Sequence, residues 1–134
     1  MQNTDDLGKL ILRVVLGGLI LLHGIAKIMA GPAFVISATT SAGLPAAVGY
    51  LVYLGEVIAP ILLIVGIWSR LAALIIAGNM VFAIALVHTK QLLTLSDTGG
   101  WALELQGMFL VAALALVLLG AGRFSVGGRG GKWN

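Results

Sequence analysis

Four ionisable side chains interrupt the long apolar stretches of this sequence, and they are the residues best suited to chemistry. They are His23, Lys27, Glu56 and Glu104. A charged group in an apolar helix is expensive to bury, so it commonly faces the interior of a bundle and marks a site or a pathway. Imidazole and ammonium groups donate hydrogen bonds, and carboxylates take up and release protons. These residue types therefore predict a site that binds a small polar group and transfers protons.

Helical spacing places several of these residues on common faces. His23 and Lys27 are four positions apart, and Tyr53 and Glu56 are three apart. We expect proton transfer by Glu56, His23 and Glu104, and substrate binding by His23, Lys27, Tyr53 and Asn79. Other interpretations stay open: Lys27 reaching the membrane surface, Asn79 joining two helices, and an ion pair of Glu56 with Lys27 or His23 that only stabilises the helices.

The composition identifies the environment in which these residues work. The 134-residue chain is 60% hydrophobic and 10% charged, whereas soluble domains are about 45–50% apolar and about 25% charged. Disordered chains are poor in apolar residues, so both classes are excluded and an integral membrane protein remains. Without cysteine, the chain alone builds no disulfide, thiolate nucleophile or cysteine-ligated cluster, and we expect no metal site. The basic residues do not cluster with aromatics, so we expect no nucleic-acid partner.

Four segments are long and apolar enough to cross a bilayer, which takes roughly 20 residues in a helix. They cover about residues 7–28, 46–67, 71–88 and 101–119. We predict an all-α, antiparallel four-helix transmembrane bundle that forms one domain over residues 1–126. A short surface helix is expected at residues 33–40. The glycine-rich residues 127–134 are expected to form a flexible cytoplasmic tail.

The distribution of basic residues predicts the orientation of this bundle. Six Lys and Arg residues lie on the side that holds both termini, and two lie on the other side. Both termini are therefore expected to be cytoplasmic, in a multi-pass protein of a bacterial inner membrane in contact with lipid. Lys9 and Arg13 are expected to extend to the inner membrane surface, whereas the candidate site lies in the outer half.

Small residues and one proline predict how the helices meet. Gly17, Gly24 and Gly31 are seven positions apart, which favours close contact between the first span and a neighbour. Pro60 cannot donate a hydrogen bond to the carbonyl of Glu56, so a kink is expected there.

A set of short motifs extends over about residues 7–126: Leu12-Arg13, Gly17, His23-Gly24-Ile25-Ala26-Lys27, Gly43-Leu44-Pro45, Glu56 with the Leu-rich run to Gly66, Arg70, Glu104, and Gly120-Ala121-Gly122-Arg123-Phe124-Ser125. In its order and spacing this set resembles the DoxX family of small bacterial membrane proteins. Family members often continue the last motif with an aspartate, whereas Val126 and Gly127 stand here. No role is therefore assigned to an acidic group at the cytoplasmic end.

The resemblance implies a redox function. DoxX-like proteins are commonly labelled oxidoreductases, by similarity to a membrane subunit of an archaeal thiosulfate:quinone oxidoreductase, and one member is linked to a complex that supports redox homeostasis. The implied role is a membrane subunit that uses quinone as cofactor and works with redox partner proteins. The sequence carries no flavin or nucleotide fingerprint, so the partners would supply or accept the electrons.

Three alternatives use the same residues. Haem held between His23 and His88 is less favoured than quinone, because two facing imidazoles would be needed. A proton-coupled small-molecule transporter would need a homo-oligomer, with small residues such as Ala73 and Ala77 at the interface. A non-catalytic scaffold or assembly factor would use the ion pairs only to stabilise the bundle.

Overall fold

The chain folds into helices joined by short irregular segments. The computed structural model describes residues 2–87 and 89–134, and the prediction of an all-α protein is confirmed over these residues. The helices are α1 (Gln2–Ala30), α2 (Ala33–Ser41), α3 (Ala46–Tyr53), α4 (Ala59–Val65), α5 (Ser69–Val87) and α6 (Glu104–Leu119), with a π-helical turn at Leu54–Ile58 and a 3₁₀ turn at Thr89–Gln91.

Helices α3 and α4 form one continuous helix, interrupted by the π-helical turn. In this turn the backbone amide of Ala59 donates to the carbonyl of Leu54, five residues earlier. Pro60, which has no amide hydrogen, follows directly, so the irregularity lies where the sequence predicted a kink. Gly66 ends the helix in the left-handed conformation, with φ of 86°. The π-helical turn contains Glu56 and therefore sets the direction of the carboxylate.

Three of the helical segments are long and apolar enough to cross a membrane. They are Asn3–Ala30, Ala46–Val65 and Ser69–Leu86. Helix α6, with 16 residues, is apolar but shorter, at about 24 Å with a rise of 1.5 Å per residue. The described structure thus supports three of the four predicted spans by length and composition, and α6 differs because its first turn begins at Glu104 rather than at Trp101.

One apolar core joins α1, α4, α5 and α6. Helix α1 packs against α4 and α6, and α5 packs against the same two helices from the other side. The core includes Leu16, Ile20, Leu63, Ile76 and Leu116. Ala73 and Ala77 also lie in this core and are almost completely buried within the chain. They are therefore not available for the contact with a second copy that the transporter alternative assigned to them, because their small side chains serve contacts between helices of the same chain.

Two of the three spaced glycines lie where α1 meets α4 and the π-helical turn. A Cβ added to Gly17 would lie 2.7 Å from Cγ1 of Ile64, and one added to Gly24 would overlap the carbonyl oxygen of Glu56. The prediction of close helix contact is confirmed for these two. Gly31 lies beyond the end of α1, with φ of 84° and open space around it, and makes no such contact.

We call the two ends of the bundle the loop end, where residues 31–45 and 89–103 connect helices, and the tail end, where residues 120–134 pack. At the tail end Arg13 is fully buried. Its Nη1 donates to the carbonyl of Leu63 (3.2 Å) and its Nη2 to that of Phe124 (2.6 Å). The prediction that Arg13 reaches the membrane surface is therefore wrong. A carbonyl in the last turn of a helix has no donor within the helix, and the guanidinium supplies one.

Asp6 makes a second charged contact at the tail end. The carboxylate is buried, forms a salt bridge with Arg129, and accepts a hydrogen bond from the backbone amide of Arg123 at 3.2 Å. The hydrogen bond to Asp6 raises the pKa of Arg129 above its ordinary value, because the carboxylate stabilises the charged guanidinium.

The glycine-rich tail also folds back onto the helices. The side chain of Asn134 accepts from the amide of Ser69 at 3.0 Å and donates to the carbonyl of Gly128 at 2.6 Å. The carbonyl of Trp133 accepts from the amide of Arg70 at 2.8 Å. Glycine content suggested a flexible segment, whereas the structure shows these residues bound to the free backbone groups at the start of α5.

Candidate functional site

An ion pair between α1 and the π-helical turn forms the centre of the candidate site. The ammonium nitrogen of Lys27 lies 2.8 Å from Oε1 of Glu56 and 2.7 Å from Oε2. Glu56 is only 5% exposed, whereas the side chain of Lys27 is 32% exposed. Oε1 accepts a hydrogen bond from Lys27, and Oε2 is within ion-pair distance of the same ammonium group. Of the two partners predicted for Glu56, the structure selects Lys27 rather than His23.

Glycines allow both neighbouring helices to approach the backbone around Glu56. On one side Gly24 of α1 packs against the carbonyl of Glu56. On the other side Asn79 of α5 packs against Gly55, where an added Cβ would lie 2.6 Å from Cβ of Asn79. The backbone that carries the carboxylate is therefore fixed between α1 and α5, and the position of Glu56 does not depend on its ion pair alone.

Two cavities lie against the ion pair, and both are lined by Lys27 and Glu56. We call the first the phenylalanine cavity; its volume is about 110 Å³, and Phe34 of α2, Val52 of α3, and Asn79 and Phe82 of α5 also line it. We call the second the histidine cavity; its volume is about 160 Å³, and it is also lined by His23, Gln106 and Phe109. The two cavities thus meet at one buried carboxylate.

His23 belongs to the histidine cavity. Its imidazole packs edge-on against the ring of Phe109, with ring centroids 5.9 Å apart. One turn further along α1, Lys27 lines the same cavity. The predicted grouping of His23, Lys27 and Glu56 therefore exists in the structure, because all three residues line this cavity, and the ion pair of the carboxylate is with Lys27.

Asn79 and Tyr53 occupy different positions relative to the ion pair. Asn79 lines the phenylalanine cavity. The hydroxyl of Tyr53 donates to the main-chain carbonyl of Lys27 at 3.3 Å. Tyr53 therefore holds the end of α1 in place, and its hydroxyl is already engaged with the protein backbone.

Glu104 lies apart from this group. Its side chain is exposed and lies against Gly100, outside the lining of both cavities. Gln106, two residues later, lines the histidine cavity instead. Two positions along an α-helix correspond to a rotation of about 200°, so the two side chains point in nearly opposite directions. Gln106 was not among the predicted site residues, and its three-residue spacing to Phe109 was the signal for its position.

Aromatic residues of the phenylalanine cavity were not recognised in the sequence. Phe34 comes from α2, the short helix that the sequence correctly predicted, and Phe82 comes from α5. Their contribution could not be read from spacing, because it depends on how α2 packs over α3 and α5.

Two further expectations concern haem and metal binding. The haem alternative pairs His23 with His88, which lies outside the described residues. In the described part of the chain, no group of three or more His, Asp or Glu side chains is arranged to hold a metal ion.

The fold and the site define a class of protein: a membrane protein of apolar helices, with an ion pair located between two cavities. The family model DoxX matches residues 8–89, a range that contains most of α1, the π-helical turn, α5 and the Lys27–Glu56 pair. The chain belongs to the DoxX family.

A relative with a curated description is "Putative oxidoreductase CatD" from Bacillus subtilis, which is 30% identical over 90 residues. The aligned region is 67% of this chain and 66% of that protein, so the chain spans just under two thirds of the relative's length. No solved structure matches the chain significantly.

Proposed function

We propose that this protein is a quinone-linked membrane subunit of an oxidoreductase that works with redox partner proteins. The observation that carries the proposal is Glu56, a nearly buried carboxylate that is paired with Lys27 and located where two cavities meet. A group of this kind is typical of a site that binds a ligand and moves protons. The printed name of the Bacillus subtilis relative agrees with a redox role.

The residues around the pair fit a quinone ring. The phenylalanine cavity offers two aromatic side chains, Phe34 and Phe82, at one ion pair that provides both a donor and an acceptor. A quinone would supply the electron-accepting carbonyl chemistry that the side chains of this chain lack. Lys27 Nζ would donate to a carbonyl oxygen of the ring, and Asn79 would orient the ring from α5.

Proton transfer is assigned to Glu56 and His23. Glu56 is the buried carboxylate that lines both cavities, and it would hold a proton next to the ligand. The histidine cavity, which is large enough for several waters, connects this carboxylate to the imidazole of His23. Glu104 is not included, because its carboxylate lies outside both cavities.

Quinone binding can be tested on purified protein that retains native lipid. We expect an oxidised-minus-reduced absorption difference that contains a quinone signal, and we expect Glu56→Gln and His23→Ala to remove it. Asp97→Asn, a carboxylate in the exposed loop, is the matched control and should leave the signal unchanged.

A flat difference spectrum from folded wild-type protein with native lipids would refute the quinone link. If Glu56→Gln then lowered stability without affecting any ligand, the scaffold function would be favoured. Proton or substrate movement in liposomes would instead favour the transporter.

The proposed membrane arrangement has four spans, with α6 as the fourth, and both termini in the cytoplasm. Six basic residues lie towards the tail end and two lie towards the loop end, which supports this orientation. Since the chain has no cysteine, single substitutions Thr4→Cys, Ser96→Cys and Gly130→Cys each provide one labelling site. In intact cells an impermeant maleimide should label only Ser96→Cys. Labelling of Gly130→Cys together with Ser96→Cys would show that α6 does not cross the membrane.

A further inference from the structure

An apolar groove between α3 and α5 runs directly into the phenylalanine cavity. The groove has a volume of about 220 Å³ and is lined by Leu51, Leu54 and Ile75, with Gly78 as its smallest residue. It shares three lining residues with the phenylalanine cavity: Val52, Asn79 and Phe82. The two spaces are therefore adjacent, with charged groups at one end and aliphatic side chains at the other.

We propose that the phenylalanine cavity and this groove together bind one amphiphile, a quinone with a long apolar chain, with its ring beside Lys27 and Glu56 and its chain in the groove. The inference rests on the proposed function and adds the class of quinone and the location of its chain. Neither space alone has the volume of a typical small-molecule site, whereas together they reach the lower end of that range, about 300 Å³.

The wall residues indicate that the groove faces the lipid. Leu51 is 59% exposed, and Leu54 is also exposed. An apolar chain can therefore enter sideways from the bilayer, without crossing water or passing the ion pair. Because lipid tails are as apolar as leucine, burying the chain gains little from the hydrophobic effect, and the fit of the chain to the groove decides the affinity.

Gly78 provides a way to fill the groove without disturbing the fold. A Cβ at this position meets no other atom within 4 Å, whereas a Cβ at Gly55 would collide with Asn79. A larger side chain at position 78 should therefore occupy the groove and leave the ion pair and the phenylalanine cavity intact. Gly18 of α1 also has no atom within 4 Å of an added Cβ, and it lies outside the lining of both spaces, so it is a matched control.

The test measures binding as the ligand-induced rise in melting temperature of the full chain in nanodiscs. The probes are a dimethoxybenzoquinone and a naphthoquinone, each with and without a decyl chain. We expect Gly78→Leu to weaken binding of the chained form by roughly fivefold or more, since overpacking of this size is typically that unfavourable. Binding of the chain-free ring should be unchanged in Gly78→Leu, and Gly18→Leu should affect neither form.

Leu51→Trp, which narrows the groove from α3, provides a second variant if Gly78→Leu has a lower melting temperature without ligand. Equal effects on chained and chain-free forms, or no effect on either, would overturn the groove assignment and leave the quinone proposal standing. A change in bound phospholipid without a change in quinone affinity would show that the groove holds a lipid acyl chain. If wild-type protein binds no probe, both the proposed function and this inference fail.

Discussion

The loop end and the tail end of the protein each contain buried charged side chains. Arg13 and Lys27 are about 21 Å apart along α1. The two ends provide different partners for these charges. At the tail end Arg13 donates to two main-chain carbonyls, and Asp6 accepts from a main-chain amide as well as from Arg129. At the loop end Lys27 and Glu56 pair with one another, and the ammonium nitrogen lies within 2.8 Å of both carboxylate oxygens.

The residues that surround the buried charges also differ between the tail end and the loop end. The hollow beside the Asp6–Arg129 pair is lined by Asp5, Asp6, Lys9 and Arg129, all of them charged. The cavities beside Glu56 are lined mainly by apolar and aromatic residues, with a few polar groups converging on the carboxylate. Apolar walls with few polar groups are typical of ligand sites.

The comparison shows that burial of a charge is not by itself a sign of function. Charges bound to main-chain groups complete helix ends, because the last carbonyls of a helix lack partners in the helix itself. Arg70 repeats this pattern by donating to the carbonyl of Val117 at 3.2 Å, near the end of α6. A charge that faces cavities can contact a ligand that occupies them. The substitutions described next should distinguish the structural charges of the tail end from the Lys27–Glu56 pair of the loop end.

Removal of Arg13 should have the largest effect on stability. Arg13→Ala leaves two carbonyls without a donor and creates a buried cavity, so we expect a loss of about 3–5 kcal/mol in the free energy of unfolding. Denaturant titration in detergent measures this loss. Arg123→Ala, an exposed arginine over the ring of Phe124, is the control and should change stability by less than about 1 kcal/mol. A similar small change for Arg13→Ala would contradict the structural role.

The Lys27–Glu56 pair should be important for binding but replaceable for stability. Lys27→Ala leaves a buried carboxylate unpaired and should reduce the free energy of unfolding by about 2–3 kcal/mol, less than the roughly 3–5 kcal/mol of fully buried pairs. The double variant Lys27→Met/Glu56→Leu should unfold within about 1 kcal/mol of the wild type, because apolar residues replace buried pairs well.

The same double variant should bind no quinone in the thermal-shift assay. Retained binding would show that the ion pair is not the ligand site. A double variant as unstable as Lys27→Ala would show that the loop end, like the tail end, is mainly structural.

Close packing against the π-helical turn should be sensitive to a single methyl group. Gly24→Ala would overlap the carbonyl of Glu56, and we expect a loss of about 1–3 kcal/mol from overpacking. Gly18→Ala, in the same helix but with open space around it, should be neutral or stabilising by up to about 1 kcal/mol. Equal melting temperatures for the two variants would argue against this close contact.

The smallest effect is expected at the tail. Asn134→Ala removes the acceptor of the buried amide of Ser69 and should lower the free energy of unfolding by about 1–2 kcal/mol. Limited proteolysis should also cut the tail of this variant faster. Lys132→Ala, an exposed neighbour, serves as the control. Rapid proteolysis of the wild-type tail would show that the sequence-based expectation of flexibility was right.

Several features of the fold followed from the sequence because they depend on composition and local spacing. The apolar segments predicted the long helices to within a few residues, since a membrane helix must be apolar over most of its length. Residues 33–40 were correctly predicted as a short helix, observed at Ala33–Ser41. Pro60 marked the irregular turn, because a missing amide hydrogen acts on the nearest residues only.

The composition also limited the candidate site to a few residues. His23, Lys27 and Glu56 were selected because ionisable groups are rare in apolar helices, and the structure brings these three together around the histidine cavity. The sequence could not exclude Glu104 or include Gln106, since both are polar and lie two positions apart in the same segment.

The sequence by itself therefore determined the membrane class, the helical segments and the short set of residues able to do chemistry. Only the tertiary structure decided which helix faces meet: Arg13 bound to carbonyls of α4 and the tail, Glu104 outside the cavities, and Glu56 paired with Lys27. The physical reason is that apolar content and spacing act along one helix, whereas the rotation of each helix about its axis is set by packing against its neighbours. A charged side chain finds its partner only once those rotations are fixed.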